Sequence, residues 1–119
     1  MQILEKRSSE SVVFDIDCSL LLAATETITS VTSSSAAPVT TMPIAFGTPT
    51  INVTPTTYMD QFGSSRVAAA GKVIQVRISG GLIASTQTAQ DYVLRFVMVT
   101  SLNTAVEATV KLRLNDTPA

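Results

Sequence analysis

Apolar and polar positions alternate with a period of two along much of this chain. In "AVEATVKLRL", Val106, Ala108, Val110, Leu112 and Leu114 fall on one face, while Glu107, Thr109, Lys111 and Arg113 fall on the other. Successive side chains of an extended backbone point to opposite faces, so this pattern predicts an antiparallel strand with one face buried. "KVIQVRIS" places Ile74, Val76 and Ile78 inward and Gln75 and Arg77 outward. "DYVLRFVMVT" is apolar on nearly both faces, with Arg95 as its one charge after Asp91, and predicts a central strand. "SVVFDID" sets Val12, Phe14 and Ile16 against Val13, Asp15 and Asp17, and "ETITSVTSS" and "PTINVT" add two shorter strands.

Turn signals punctuate these runs at short intervals: Pro38, Pro43, Gly47-Thr48-Pro49, Pro55, Gly63-Ser64-Ser65, Gly71, Gly80-Gly81 and Leu102-Asn103. Short strands so punctuated predict a β-sandwich or barrel. Helix signals are weak, since "CSLLLAATE" suffices for one turn and "RVAAAGK" is stopped by Gly71. "TSSSAAPVTTMP", Thr32 to Pro43, reads as a long loop between strands. Residues 1–10 carry mixed charge ahead of the first alternating run, and read as an N-terminal arm free to dock on a neighbour. Residues 11–119 then form a single domain.

Composition supports folding and narrows the chemistry. The chain has 119 residues, 45% of them hydrophobic and 14% charged, which lies far from the composition of disordered chains. Its polar surface must come from neutral groups, with 13 Ser and 17 Thr against 8 basic and 9 acidic side chains. The formal net charge of -1 and the scatter of Lys and Arg argue against a nucleic-acid partner. The longest apolar patch, "LLLAA" at Leu20 to Ala24, is too short to span a bilayer, so no membrane partner is expected. A single cysteine, Cys18, cannot form an internal disulfide and reads as a small buried hydrophobe.

The chain has no histidine, which removes Ser-His and Cys-His nucleophilic machinery and the usual zinc ligand sets. No catalytic residue and no cofactor is implied. Asp15 and Asp17 share a strand face at the spacing of a carboxylate pair, but no oxygen-rich calcium loop accompanies them. Gly80-Gly81 reads as a strand exit rather than a phosphate cradle, because no P-loop lysine follows. "NVT" at Asn52 and "NDT" at Asn115 match the glycosylation acceptor pattern by chance. The candidate interface residues are apolar side chains in connections and in the arm: Ile3, Leu4, Pro38, Met42, Tyr58, Met59, Phe62, Leu82 and Ile83.

The succession of these features resembles the small immunoglobulin-like β-sandwich modules of tailed bacteriophages, the fibre or tail adaptors and capsid decoration proteins. The resemblance rests on Phe14-Asp15, Leu20-Leu21-Leu22, Glu26-Thr27-Ile28-Thr29-Ser30 and Gly47-Thr48-Pro49-Thr50-Ile51, then on Val76 to Gly81, Asp91 to Phe96 and Lys111 to Leu114. Two departures stand out: the chain has no Trp, and Thr54 to Ala70 is longer than the family pattern. The resemblance implies an all-β, immunoglobulin-like antiparallel sandwich of about seven strands. It also implies a non-enzymatic virion protein that decorates or cements the head, or joins head, tail or fibre components. Its partners would be major capsid, neck, tail or fibre proteins in a homo-oligomer or symmetric array, assembled in the host bacterial cytoplasm. The competing expectation is a recognition module whose loops, Ser33 to Pro43 and Gly80 to Gln90, bind a host glycan or protein.

Overall fold

A computed structural model describes residues 2–60, 62–83 and 87–116. The described residues form ten strands: β1 (Ile3–Lys6), β2 (Val12–Asp17), β3 (Ile28–Ala37), β4 (Ile44–Phe46), β5 (Thr50–Ile51), β6 (Thr56–Met59), β7 (Ser65–Ala68), β8 (Val73–Gly80), β9 (Ala89–Thr100) and β10 (Ala105–Asn115). One 3-10 turn, Ser19–Leu21, follows β2. The first sheet runs β1-β10-β9-β3, the second β2-β8-β4 with β5 also on β8, and β6 and β7 make a separate hairpin. All-β architecture and a sandwich-like pair of sheets are therefore present.

The alternation places the core between the two sheets. From β9 come Tyr92, Leu94, Phe96 and Met98, from β10 Ala108, Val110, Leu112 and Leu114, and from β8 Ile74, Val76 and Ile78, all buried. Each fully buried aliphatic or aromatic side chain contributes about 1.5–3 kcal/mol relative to exposure. Phe46 of β4 meets Phe96 edge to face across the layers, with centroids 5.6 Å apart and an interplanar angle of 83°. β9 is central, as expected, with β10 on one side and β3 on the other, and only its even-numbered face is buried. The β9–β10 turn uses Asn103 at φ 55°, a backbone conformation Asn tolerates better than most residues.

Three expectations change. The arm is a strand of the chain's own sheet: β1 pairs with β10 from Ile3↔Lys111 to Lys6↔Leu114, and the pairing is parallel, so the sandwich is mixed rather than wholly antiparallel. Leu4 and Lys6 point inward, and Lys6 is tolerated there because its ammonium donates to the carbonyls of Arg7 (3.0 Å), Glu10 (3.0 Å) and Gly80 (2.9 Å). The segment read as a loop from Thr32 to Pro43 is strand as far as Ala37. β3 is bulged between Ile28 and Ser30 and between Val31 and Ser33, which shifts the phase of its alternation. Finally, Thr54 to Ala70 is not a plain connection but carries the β6–β7 hairpin.

At the end of β8, Gly80 and Gly81 adopt φ 76° and 99°. A Cβ on Gly80 would meet the Pro43 carbonyl oxygen, so both the backbone conformation and the close approach require glycine. This glycine pair is a strand exit.

Candidate apolar interface at the hairpin

The β6–β7 hairpin stands on the sandwich through two polar anchors. Tyr58 donates its hydroxyl to Asp17 Oδ2 at 2.6 Å, and Ser19 adds its amide to Asp17 Oδ1 at 2.9 Å. Burial opposes ionisation of Asp17, but the hydrogen bonds from Ser19 and Tyr58 outweigh it and hold the carboxyl below its ordinary range. Burial, together with the Asp17 carboxylate, pushes the Tyr58 phenol up to about 12, so it remains a proton donor at all ordinary pH. At the hairpin base, Asn52 donates to the carbonyls of Thr54 (2.9 Å) and Ala69 (3.0 Å) and accepts from the Val73 amide (3.0 Å). Asn52 is buried and committed to this role, which removes "NVT" as an acceptor site.

The hairpin turn is organised by Asp60, which accepts from the amides of Phe62 and Ser64 and from Arg66 Nε at 2.8 Å. The Arg66 guanidinium and the Ser64 amide hold the Asp60 carboxyl below its usual range. With the turn fixed by polar groups, its apolar side chains are left outward. Phe62 is 81% exposed, and Met59 and Val67 are exposed beside it. Leu20, in the 3-10 turn, is fully exposed, and Leu21 is nearly half exposed. Leu20, Leu21, Phe62 and Val67, with Tyr58 and the Glu107–Val110 stretch of β10, line an open groove of about 640 Å³.

The residues expected at an interface separate into three groups. Tyr58, Met59 and Phe62 sit together on the hairpin, Tyr58 half-buried by its bond to Asp17. Ile3 is exposed on β1, whereas Leu4 is 6% exposed and belongs to the core, because neighbours on a strand face opposite ways. Pro38, Met42 and Leu82 are exposed away from the hairpin, while Ile83 packs against the core. There the Tyr92 hydroxyl contacts Thr40 Oγ1 at 3.3 Å, accepts from the Leu82 amide at 2.9 Å and donates to the Leu82 carbonyl at 3.1 Å. The connections after β3 and β8 therefore meet at Tyr92. Residues 84–86 of the Gly80 to Gln90 loop lie outside the described residues.

Leu20, Leu21 and Val67 were missed as interface candidates. An apolar run outside any alternating strand, "SLLLAA", was the available signal for the first two. Val67 carried none, because its exposure depends on where the hairpin stands. The carboxylates at Asp15 and Asp17 are each tied separately, Asp15 to Gln75 Nε2 at 3.0 Å and Asp17 to Tyr58 and Ser19. Among the described residues no three Asp, Glu or Cys side chains gather as a metal site. Glu26, buried under Thr100, accepts from the Thr100 hydroxyl and the Ala23 amide, which keep its carboxyl low, while Lys72 donates to the carbonyls of Ala23, Ala24 and Glu26. These groups staple loops. No protein-family model matches the chain, and no curated protein matches it either.

Proposed function

We propose that this chain is a non-enzymatic structural protein of a tailed-bacteriophage virion, an immunoglobulin-like module that decorates the head or joins head, tail or fibre components. The observation that carries the reading is the concentration of exposed apolar side chains, Leu20, Leu21, Met59, Phe62 and Val67, around a hairpin whose polar groups are already committed. A surface of this kind gains by covering, and polar side chains at its rim would orient a partner. The immunoglobulin-like reading is supported by strand order. β3-β9-β10 corresponds to the C-F-G sheet of such sandwiches and β2-β8-β4 to B-E-D, with the hairpin inserted between D and E.

Protein electrophoresis of purified virions tests the proposal. A high-copy band at 12.6 kDa supports a decoration protein, and a faint one an adaptor ring. Absence of the band from virions sinks the structural reading. The second reading, a recognition module, draws on the meeting of the two connections at Tyr92. It requires saturable glycan or protein binding that is lost when Thr40 to Met42 and Leu82 are replaced by glycine and serine.

A further inference from the structure

Among the sheet edges, those of β3, β2 and β10 are treated differently by the chain. β3 carries two bulges and a row of Ser and Thr, and Thr29 and Thr32 turn their hydroxyls onto the Val99 and Val97 carbonyls. Bulges and polar side chains of this sort blunt an edge. The β2 edge is occupied by a side chain, since Gln2 donates to the Asp15 carbonyl at 2.8 Å and accepts from the Asp17 amide at 3.1 Å. β10 is covered by β1 from Lys111 onward, and Gln2, in line with β1, stands opposite Val110 and accepts from the Lys111 amide. The stretch from Ala105 to Thr109 pairs with β9 alone among the described residues.

Hydrogen bonding fixes which groups face that open edge. Thr100 donates to Thr104 at 3.0 Å, and the register pairs Ala108 with Phe96 and Val110 with Leu94, so even-numbered residues of β10 bond to β9. Lys111 donates to the Gln2 carbonyl at 3.1 Å on the opposite side. By the same alternation the peptide groups of Thr109, Glu107 and Ala105 are directed away from β9, those of Thr109 and Glu107 toward the groove walled by Leu21, Phe62 and Val67. The open stretch is about 17 Å long, enough for about five extended residues.

We propose that this edge of β10 receives an extended segment of another protein by strand addition, in line with β1, with apolar side chains at alternate positions and a basic one beside Glu107. The inference rests on the reading of the chain as an interaction module and names the kind of partner. Continuity with the β1–β10 pairing sets the geometry. Positions opposite Val106 and Ala108 turn inward, as Leu4 and Lys6 do opposite Leu112 and Leu114, and the one opposite Ala108 would face the wall that includes Ile16 and Leu21. Positions opposite Glu107 and Thr109 turn to the outer face. Charge favours a basic segment, because Asp17, Asp60 and Glu107 border the groove against Arg66, an acidic excess that the ion pair of Arg95 with Glu107 at 3.6 Å reduces without cancelling.

The test extends the full chain at its N-terminus with Thr-Val-Thr-Val-Lys-Val, which places valines inward and the lysine beside Glu107, and compares a Gly-Ser extension of equal length. Tethering raises the effective concentration to the millimolar range, so weak pairing is still detected. The expected result is at least about tenfold slower amide hydrogen exchange at Glu107 and Thr109 with the valine extension alone. Leu21→Glu and Val67→Glu, both at exposed positions, should abolish that protection without lowering the melting temperature. The same hexapeptide added free should perturb the Glu107 to Val110 resonances. Unchanged exchange with the tethered valine segment overturns the proposal. So does concentration-dependent dimerisation of the unextended chain that already protects these amides, since the occupant is then a second copy. Edge protection together with absence from virions would reject the virion assignment and leave the strand-addition site standing.

Discussion

Replacing Tyr58 by Phe removes one hydroxyl and retains the ring, so it isolates the bond that fastens the hairpin to the sandwich. The bond is 2.6 Å long and ends on a carboxylate, and both partners are partly buried. Hydrogen bonds to charged groups contribute about 1.5–3 kcal/mol, and partial solvent access places this one near the lower figure, about 1.5 kcal/mol. A two-stranded hairpin is marginal by itself, so the loss falls on local opening of β6 and β7. About 1.5 kcal/mol corresponds to roughly tenfold faster amide exchange over Thr56–Met59 and Ser65–Ala68. If the hairpin instead melts with the sandwich, a domain of this size loses about 6 °C in melting temperature. The pH dependence has a definite sign. The folded-state pKa of Asp17 is lowered, so its stabilising contribution is present above the unfolded value near 3.9 and disappears as pH falls through the folded value. The difference between wild type and Tyr58→Phe should therefore be largest at neutral pH and shrink in acid. Native-state hydrogen exchange by NMR measures it. Equal exchange at neutral pH, or a difference that grows on acidification, refutes the latch.

Three further outcomes are expected. Phe96→Ala empties the centre of the core and removes the edge contact with Phe46, so urea unfolding should show a loss of about 3–5 kcal/mol. Gly80→Ala forces a side chain into φ 76° against the Pro43 carbonyl, whereas Gly63→Ala at φ 78° meets open space. Both pay about 1–2 kcal/mol for the left-handed backbone, and denaturant midpoints should place Gly80→Ala clearly below Gly63→Ala. Burial, and secondarily the Asp17 charge, pushes the Cys18 thiol up to about 12. At about pH 8 it should react with a thiol reagent in denaturant and not in the native protein, and rapid native labelling would contradict its burial.

The strands legible in the sequence were those in which burial and chemistry coincide. β8 and β10 alternate apolar with polar or charged residues, and in β9 the even-numbered face is buried under the second layer while Val93, Val97 and Val99 lie on the outer, partly exposed face. β1 was hidden because one of its two inward residues is Lys6, whose ammonium is satisfied by the nearby Arg7 and Glu10 carbonyls and by the Gly80 carbonyl, distant in sequence. β3 was legible through "ETITSVTSS", but its end as far as Ala37 was hidden, because Ser and Ala supply no hydrophobic contrast and the bulges break the period. The hairpin residues Tyr58, Met59 and Phe62 were recognisable as out of place in a connection. Their neighbours Leu20, Leu21 and the Glu107–Val110 edge join them through long-range packing that no local pattern encodes.

The two layers are also tied in a way that follows from having a single cysteine. Where a disulfide could cross the sandwich, Cys18 has no partner and is packed as an apolar side chain. Apolar alternation fills the centre but ends at the margins, where strand termini expose peptide groups that need partners. Buried polar side chains serve them there. Gln2 joins β1 to the edge of β2, Lys6 joins the end of β1 to Gly80 at the end of β8, and Lys72 gathers the carbonyls of the Ala23 to Glu26 loop. Each tie satisfies several backbone groups with one side chain, so truncating it leaves buried acceptors unpaired as well as removing a contact. The same logic marks the Ala105 to Thr109 edge of β10 as different. Its outward peptide groups meet no strand or side-chain amide among the described residues, and the groove beside it mixes the apolar Leu20, Leu21, Phe62 and Val67 with the charged Asp17, Asp60 and Arg66. A chain that caps its β2 and β3 edges with its own side chains and leaves this one open beside Leu21 and Val67 has the surface chemistry of a strand acceptor.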